Sequence, residues 1–281
     1  RPLTSYVFED DMTFSLQHTR QEYACYGTGD FAQPAFMIKQ RDGSCLSHFT
    51  FDSFRIFSGK EGLNGLPATY VEAEDEATSL EITLIDRVTE TRLYLLYTIY
   101  EERSVVTRSV RFEQEGNQSI VVTRSLSMNL DLPDMDYEWL HLDGAWSRER
   151  HVETSRLHQG VQSVYSLKGA SSAEHNPFIA LKRPGADEHQ GEVLGFSLVY
   201  SGNFLAQVDV SPYHQTRVSM GIHPERFEWT LEKGDKWTKS KILKAYINPF
   251  FNKAKTILKL NPKNYSSESY KKIYLYILNV I

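Results

Sequence analysis

Cysteine is scarce in this sequence: Cys25 and Cys45 are the only two among 281 residues. Two cysteines make no disulfide framework, which sets aside the small bridged secreted scaffolds and points to a reducing, cytoplasmic setting. No apolar run approaches the roughly 20 residues of a membrane span, so no membrane partner is expected. Positive charge is also short, with 31 basic against 36 acidic residues and a net charge of −5. That balance offers nothing to nucleic acid. The nine histidines show no spacing that would gather two or three around a metal, and no metal or other cofactor is expected. Gly59–Pro67 is glycine-rich but lacks the Lys-Ser or Lys-Thr and the strand-to-helix setting of a phosphate cradle. A Gly-x-Ser-x-Gly elbow is missing too. The chain starts at Arg1-Pro2 without Met or a basic-then-apolar leader, so its true start is expected upstream.

What the sequence does have is alternation. Tyr and Phe are frequent, 16 and 15 residues, and both suit strands. Strands are expected at Met12–His18, Pro34–Gln40, Leu80–Val88, Leu93–Tyr100, Val105–Gln114, Ser119–Leu130 and Leu157–Leu167. More follow at Phe178–Lys182, Glu192–Tyr200, Phe204–Val210, Thr216–Met220 and Phe227–Leu231. Short strands with turns between them and no helical stretch predict an all-β antiparallel sandwich rather than βαβ units. The Tyr200-Ser-Gly-Asn-Phe204 corner is the most distinctive strand–turn–strand signal among them.

Three stretches carry candidate chemistry. In Asp143-Gly-Ala-Trp-Ser-Arg-Glu-Arg150, Trp146 beside two arginines and a carboxylate suits a flat platform for a sugar ring. The plainer reading of the residues alone is a Trp that anchors a sheet corner, with Arg148 and Arg150 in surface ion pairs. His175 near Ser171 and Ser172 invites a nucleophile–base pair, but no orienting acid follows from the sequence, and a hydrogen-bonded turn is the plainer expectation. The acids Asp131, Asp134, Asp136 and Glu138 lie in a proline loop and read as a solvated acidic turn. No paired-carboxylate constellation emerges.

Charge divides the chain. Residues 1–237 hold 22 basic and 35 acidic residues, a net of −13, whereas residues 238–281 hold nine lysines, no arginine and one acid, a net of +8. A boundary is expected at Trp237, followed by a lysine-rich tail that is disordered or partly helical.

Several strings then become recognisable together. Gly65-Leu-Pro-Ala-Thr-Tyr-Val-Glu72, Leu140-His-Leu-Asp-Gly-Ala-Trp-Ser-Arg-Glu-Arg150, Gly169-Ala-Ser-Ser172, Asn176-Pro-Phe178 and Leu198-Val-Tyr-Ser-Gly-Asn-Phe204 occur in order. With Gly221-Ile-His-Pro224 and Phe227-Glu-Trp229, they resemble the amino-terminal domain of glycoside hydrolase family 36, the bacterial α-galactosidases or melibiases. The resemblance spans nearly all of residues 1–237. It implies a galactose-mutarotase-like β-super-sandwich placed before a (β/α)8 barrel that holds both catalytic carboxylates. The barrel nucleophile sits in a Lys-Trp-Asp motif; here Lys236-Trp237 is followed by Thr238, so no catalytic residue is expected on this chain.

The resemblance further implies α-galactoside sugars such as melibiose and raffinose as partners. It implies Trp146 as a substrate contact on one wall of the pocket, and a homo-tetramer in which loops such as Phe51–Gly65 pack between subunits. After Trp237 the likeness fades, as expected of a tail that is truncated or frame-shifted relative to the family. Two other readings stand beside this one. One is a free-standing carbohydrate-binding sandwich. The other is a mutarotase-like enzyme, for which His141 is a candidate with no visible acid partner.

Overall fold

A computed structural model describes residues 20–27, 29–62, 68–187, 189–234 and 272–279. The expected strand at Met12–His18, residues 63–67 of the glycine-rich loop, the expected boundary at Trp237 and residues 238–271 and 280–281 of the expected tail lie outside them. Among the described residues no α-helix occurs, only two single-turn 3-10 segments at Glu74–Glu76 and Glu101–Arg103. No helix there is long and apolar enough to cross a membrane.

Among the described residues, sixteen strands form three sheets. The smallest joins β1 (Phe36–Lys39), β6 (Ile120–Ser125) and β15 (Trp229–Leu231). The second runs β10 (Gly160–Ser166), β13 (Phe204–Val210), β14 (Thr216–Ile222), β7 (Met128–Leu132). The largest begins with β2 (Thr50–Ser58), β3 (Thr78–Asp86), β4 (Thr91–Tyr100) and β5 (Val105–Gln114). It continues through β16 (Lys272–Asn279), β12 (Glu192–Val199), β11 (His175–Lys182), β8 (Glu138–Ala145) and β9 (Arg148–Arg156). Every ladder between these strands is antiparallel except those of β16, which runs parallel to both β5 and β12. The architecture is therefore all-β, as the alternation predicts, with that one parallel insertion. It comes from the tail expected to be disordered or partly helical, whose described part is instead a strand because β5 and β12 offer it two ladder partners.

One core serves all three sheets. Phe36 from β1, Phe112 from β5, Phe196 from β12 and Phe204 from β13 share it, packed with Ile179, Val218 and Met220. Burying each such side chain is worth about 1.5–3 kcal/mol. Period-two patterning makes this possible: along β14, Val218, Met220 and Ile222 face the core while Arg217 and Ser219 face the other way. That second face is also covered. Gln21 and Gln33 meet it, bonding to β7 and β14 through Asn129, Asp131 and Arg217.

Two strand expectations need correction. Ser119–Leu130 is not one strand but β6 and β7, which belong to different sheets. At the break, Leu126 N–H donates to Ala35 C=O at 2.8 Å. Gly221 also lies so close that a Cβ there would come within 2.5 Å of Leu126 Cα. The crossing of the chain between sheets ends the ladder, and an unbroken run of good strand formers hides it. The expected strand at Leu157–Leu167 begins only at Gly160, and a strand that was not expected, β9, precedes it. All nine residues of β9 are exposed, so its sequence shows no apolar alternation to detect.

Candidate functional site

The stretch Asp143–Arg150 forms the closed end of the β8–β9 hairpin at one edge of the largest sheet. Ala145 pairs with Arg148, leaving Trp146 and Ser147 as a two-residue turn. Ser147 takes a left-handed backbone, φ 65°, and its N–H donates to Glu149 Oε1 at 3.1 Å. Arg150 is left-handed too, φ 67°, where the register shifts and the hairpin bends. Gly144 is required by close approach: a Cβ there would meet Arg148 O at 2.6 Å and Ala173 O at 3.0 Å.

Trp146 stands at the tip with 87% of its surface exposed. Trp139, on the same strand, is 5% exposed and stays in the core. Arg148 and Arg150 are exposed, and among the described residues neither joins an ion pair. The sheet-corner reading, with both arginines paired, therefore does not describe this tip. An indole face, guanidinium donors and the Glu149 carboxylate stand together in water, a set able to stack on a sugar ring and bond its hydroxyls.

At the root of the hairpin lies a cluster that the sequence did not assemble. His141 and Asp143 are two apart on β8, so they share the face that carries Trp139. Asp143 Oδ1 lies 2.7 Å from His141 Nδ1 and 2.9 Å from Nδ1 of His175, which begins β11. Partial burial pushes the Asp143 carboxyl up, but the two imidazole hydrogen bonds outweigh this and hold it below the usual carboxylate range. His141 thus has an acid partner after all. The signal available was the His-x-Asp spacing on one strand face; the third member comes from 32 residues away and had no local signature.

His175 is consequently not paired with Ser171 or Ser172. Ser172 Oγ instead accepts the Glu174 N–H at 3.2 Å, and no nucleophile–base pair forms there. Nor is the acidic loop simply solvated. The Asp131 side chain is buried, accepting two hydrogen bonds from the buried Arg217 guanidinium at 2.7 and 2.8 Å, and Asp30 lies 2.7 Å from the same guanidinium. Burial would push Arg217 down, but Asp131 and Asp30 more than offset it and raise it. Asp134 pairs with Arg183 at 2.6 Å, and Glu138 with Lys182 at 2.6 Å. These carboxylates are committed to structure. A cavity of about 230 Å³ opens beside Arg217, between Phe31 and Asp209, but the guanidinium on its wall is already engaged by Asp131, Asp30 and the Gln33 C=O.

Among the described residues no group of three His, Cys, Asp or Glu side chains suits a metal ion. Cys25 and Cys45 are both free thiols.

Three sheets on one core, with an aromatic hairpin projecting from an edge, define an all-β super-sandwich domain. More particularly, the chain belongs to the glycosyl hydrolase family 36 N-terminal domain, whose model matches residues 1–232. It is 49% identical over 242 residues to the α-galactosidase AgaA of Geobacillus stearothermophilus, covering 86% of this chain and 33% of that protein. Crystal structures of AgaA variants with stachyose and with raffinose superpose at a TM-score of 0.79 and 50% identity, over 84% of this chain and 33% of theirs. The α-galactosidase from Lactobacillus brevis superposes at 0.78 with 40% identity, over 79% of this chain and 30% of that one. The chain spans about a third of the length of the curated relatives it matches.

Proposed function

We propose that this chain is the non-catalytic amino-terminal domain of an α-galactosidase and forms one wall of its sugar pocket through Trp146. The whole enzyme hydrolyses terminal α-galactosides such as melibiose and raffinose, works in the cytoplasm and assembles as a homo-tetramer. Residues 1–237 make up the body of the domain, and residues 238–281 are a compositionally distinct tail that adds β16 to its largest sheet. Family membership supports this reading, as do relatives described as α-galactosidases, one of them crystallised with raffinose and stachyose. The observation that carries it is Trp146, 87% exposed at the end of a family motif with no structural duty of its own.

Two measurements test it. The isolated chain should not turn over a nitrophenyl α-galactoside, and turnover well above buffer would sink the non-catalytic reading. Calorimetric titration with galactose, melibiose and raffinose should show millimolar affinity, about −4 kcal/mol, abolished by Trp146→Ala. Binding that survives this substitution would remove Trp146 from the pocket wall. Affinity far tighter than millimolar would instead favour a free-standing carbohydrate-binding sandwich, a reading to which the solvent-facing indole also lends itself.

A further inference from the structure

The root of the Trp146 hairpin has lost part of its backbone ladder. Pro177, inside β11, has no N–H to donate, and β8 and β11 leave register between His175 and Ile179. Across this gap Gly144 N–H donates to Glu174 C=O at 2.9 Å. Side chains make the remaining connection: Asp143 of β8 takes hydrogen bonds from His141 on its own strand and His175 on the neighbouring one. An ionised carboxylate only accepts, so both imidazoles must carry hydrogen on Nδ1. Opposite them on β9, Glu153 pairs with His141 and His151 with Asp143. Glu174, beside His175, is engaged by Lys168.

Trp146 depends on this root. Its ring makes no aromatic or cation–π contact among the described residues, and its surface is nearly all in water. Only the hairpin backbone aims it. Trp146 lies three residue steps beyond Asp143, about 10 Å at 3.3 Å each, so a 10° tilt at the root displaces the tip by about 2 Å. Errors of about 1 Å in a positioned group are enough to matter for recognition.

We propose that His141, Asp143 and His175 form a clamp that fixes the hairpin to β11 and so positions Trp146 for sugar. They are positioning residues, acting through the shared Asp143 oxygen. The last step rests on the sugar reading of Trp146; the clamp itself does not.

The experiment compares the unaltered chain with Asp143→Ala, Asp143→Asn and Trp146→Ala. Nitrogen NMR of the histidines should find Nδ1 protonated on both His141 and His175, and Asp143→Ala should abolish that pattern. Amide exchange in residues 144–150 should rise about tenfold in Asp143→Ala, with β13 and β14 unchanged as the control against global unfolding. Asp143→Asn keeps an acceptor oxygen and should restore exchange to within about twofold of the original. Titration with melibiose should weaken about threefold or more in Asp143→Ala and recover in Asp143→Asn.

Rings protonated on Nε2 instead, or unchanged hairpin exchange in Asp143→Ala, overturn the clamp. A loosened hairpin that binds melibiose as before, while Trp146→Ala does not bind, overturns its role in positioning. No binding by the unaltered chain, or indifference to Trp146→Ala, removes the sugar reading and the last step with it. The NMR and exchange results then decide the clamp alone.

Discussion

At Tyr200–Phe204 the chain turns with Phe204 wholly buried, whereas at Gly144–Ser147 it turns with Trp146 87% exposed. Both turns put a glycine near an aromatic, and both glycines leave no room for a side chain. Gly202 lies under the Tyr200 ring, where a Cβ would come within 2.3 Å of the hydroxyl; Gly144 faces the backbone of Arg148 and Ala173. The neighbours make the difference. Asn203 Oδ1 accepts Gly169 N–H at 2.7 Å, Ser201 C=O accepts Ser171 N–H at 2.8 Å, and Asn203 C=O accepts His223 N–H at 3.1 Å. The Tyr-Ser-Gly-Asn-Phe corner is thus tied to two other segments and anchored in the core. The tip of the tryptophan hairpin is tied to nothing beyond its own root. A corner so bound is scaffold, and a tip so free is available to a partner.

The sharpest way to test this contrast is to remove the anchor. Phe204→Ala should cost about 3–5 kcal/mol in urea unfolding, the usual penalty for an unfilled core site; a loss below about 1 kcal/mol would mean the corner is not an anchor. Asn203→Ala should cost less, about 1–2 kcal/mol, because it strands the Gly169 N–H and frees the loop that leads to His175. Amide exchange at Gly169 should rise with it.

A smaller effect is expected at the hairpin root and depends on pH. The Asp143 carboxyl is held below its usual range in the folded chain. Its stabilising contribution is therefore present above the unfolded carboxylate range, near pH 4, and is lost as pH falls through the lower folded value. The stability gap between the unaltered chain and Asp143→Asn should close in acid; a gap that widened there would contradict the assignment. The smallest change is predicted at the tip itself. Trp146→Ala should leave unfolding stability within about 0.5 kcal/mol, since little but water touches the ring. A cost above about 2 kcal/mol would show hidden packing and erase the contrast with Phe204.

The strands were legible where one face meets the core. Leu93–Tyr100 and Val105–Gln114 read directly from alternation, because burial on a single face enforces a period of two. β9 was not legible: both its faces meet water, so no pattern is selected. The β6–β7 division at Leu126–Ser127 escaped as well, because what ends the ladder is the approach of Gly221 from 94 residues away. At the candidate site, Trp146 stood out by its company of Gly144, Arg148 and Glu149. His141 and His175 each stood out singly, but nothing local paired either of them with Asp143.

The sequence by itself determined the all-β class, the turns between strands with one core-facing side, the lack of a nucleotide cradle, the break in charge near Trp237 and the prominence of Trp146. These depend on local chemistry: backbone preferences of glycine and proline, side-chain periodicity and the placement of charge. Only the tertiary structure decided that Asp131 is buried against Arg217 rather than solvated, that His175 serves Asp143 rather than a serine, and that Trp146 faces water while Trp139 fills the core. Each of these depends on which distant strands become neighbours. Pairing across more than thirty residues is set by the closing of the sheets around one core, and no local pattern encodes it.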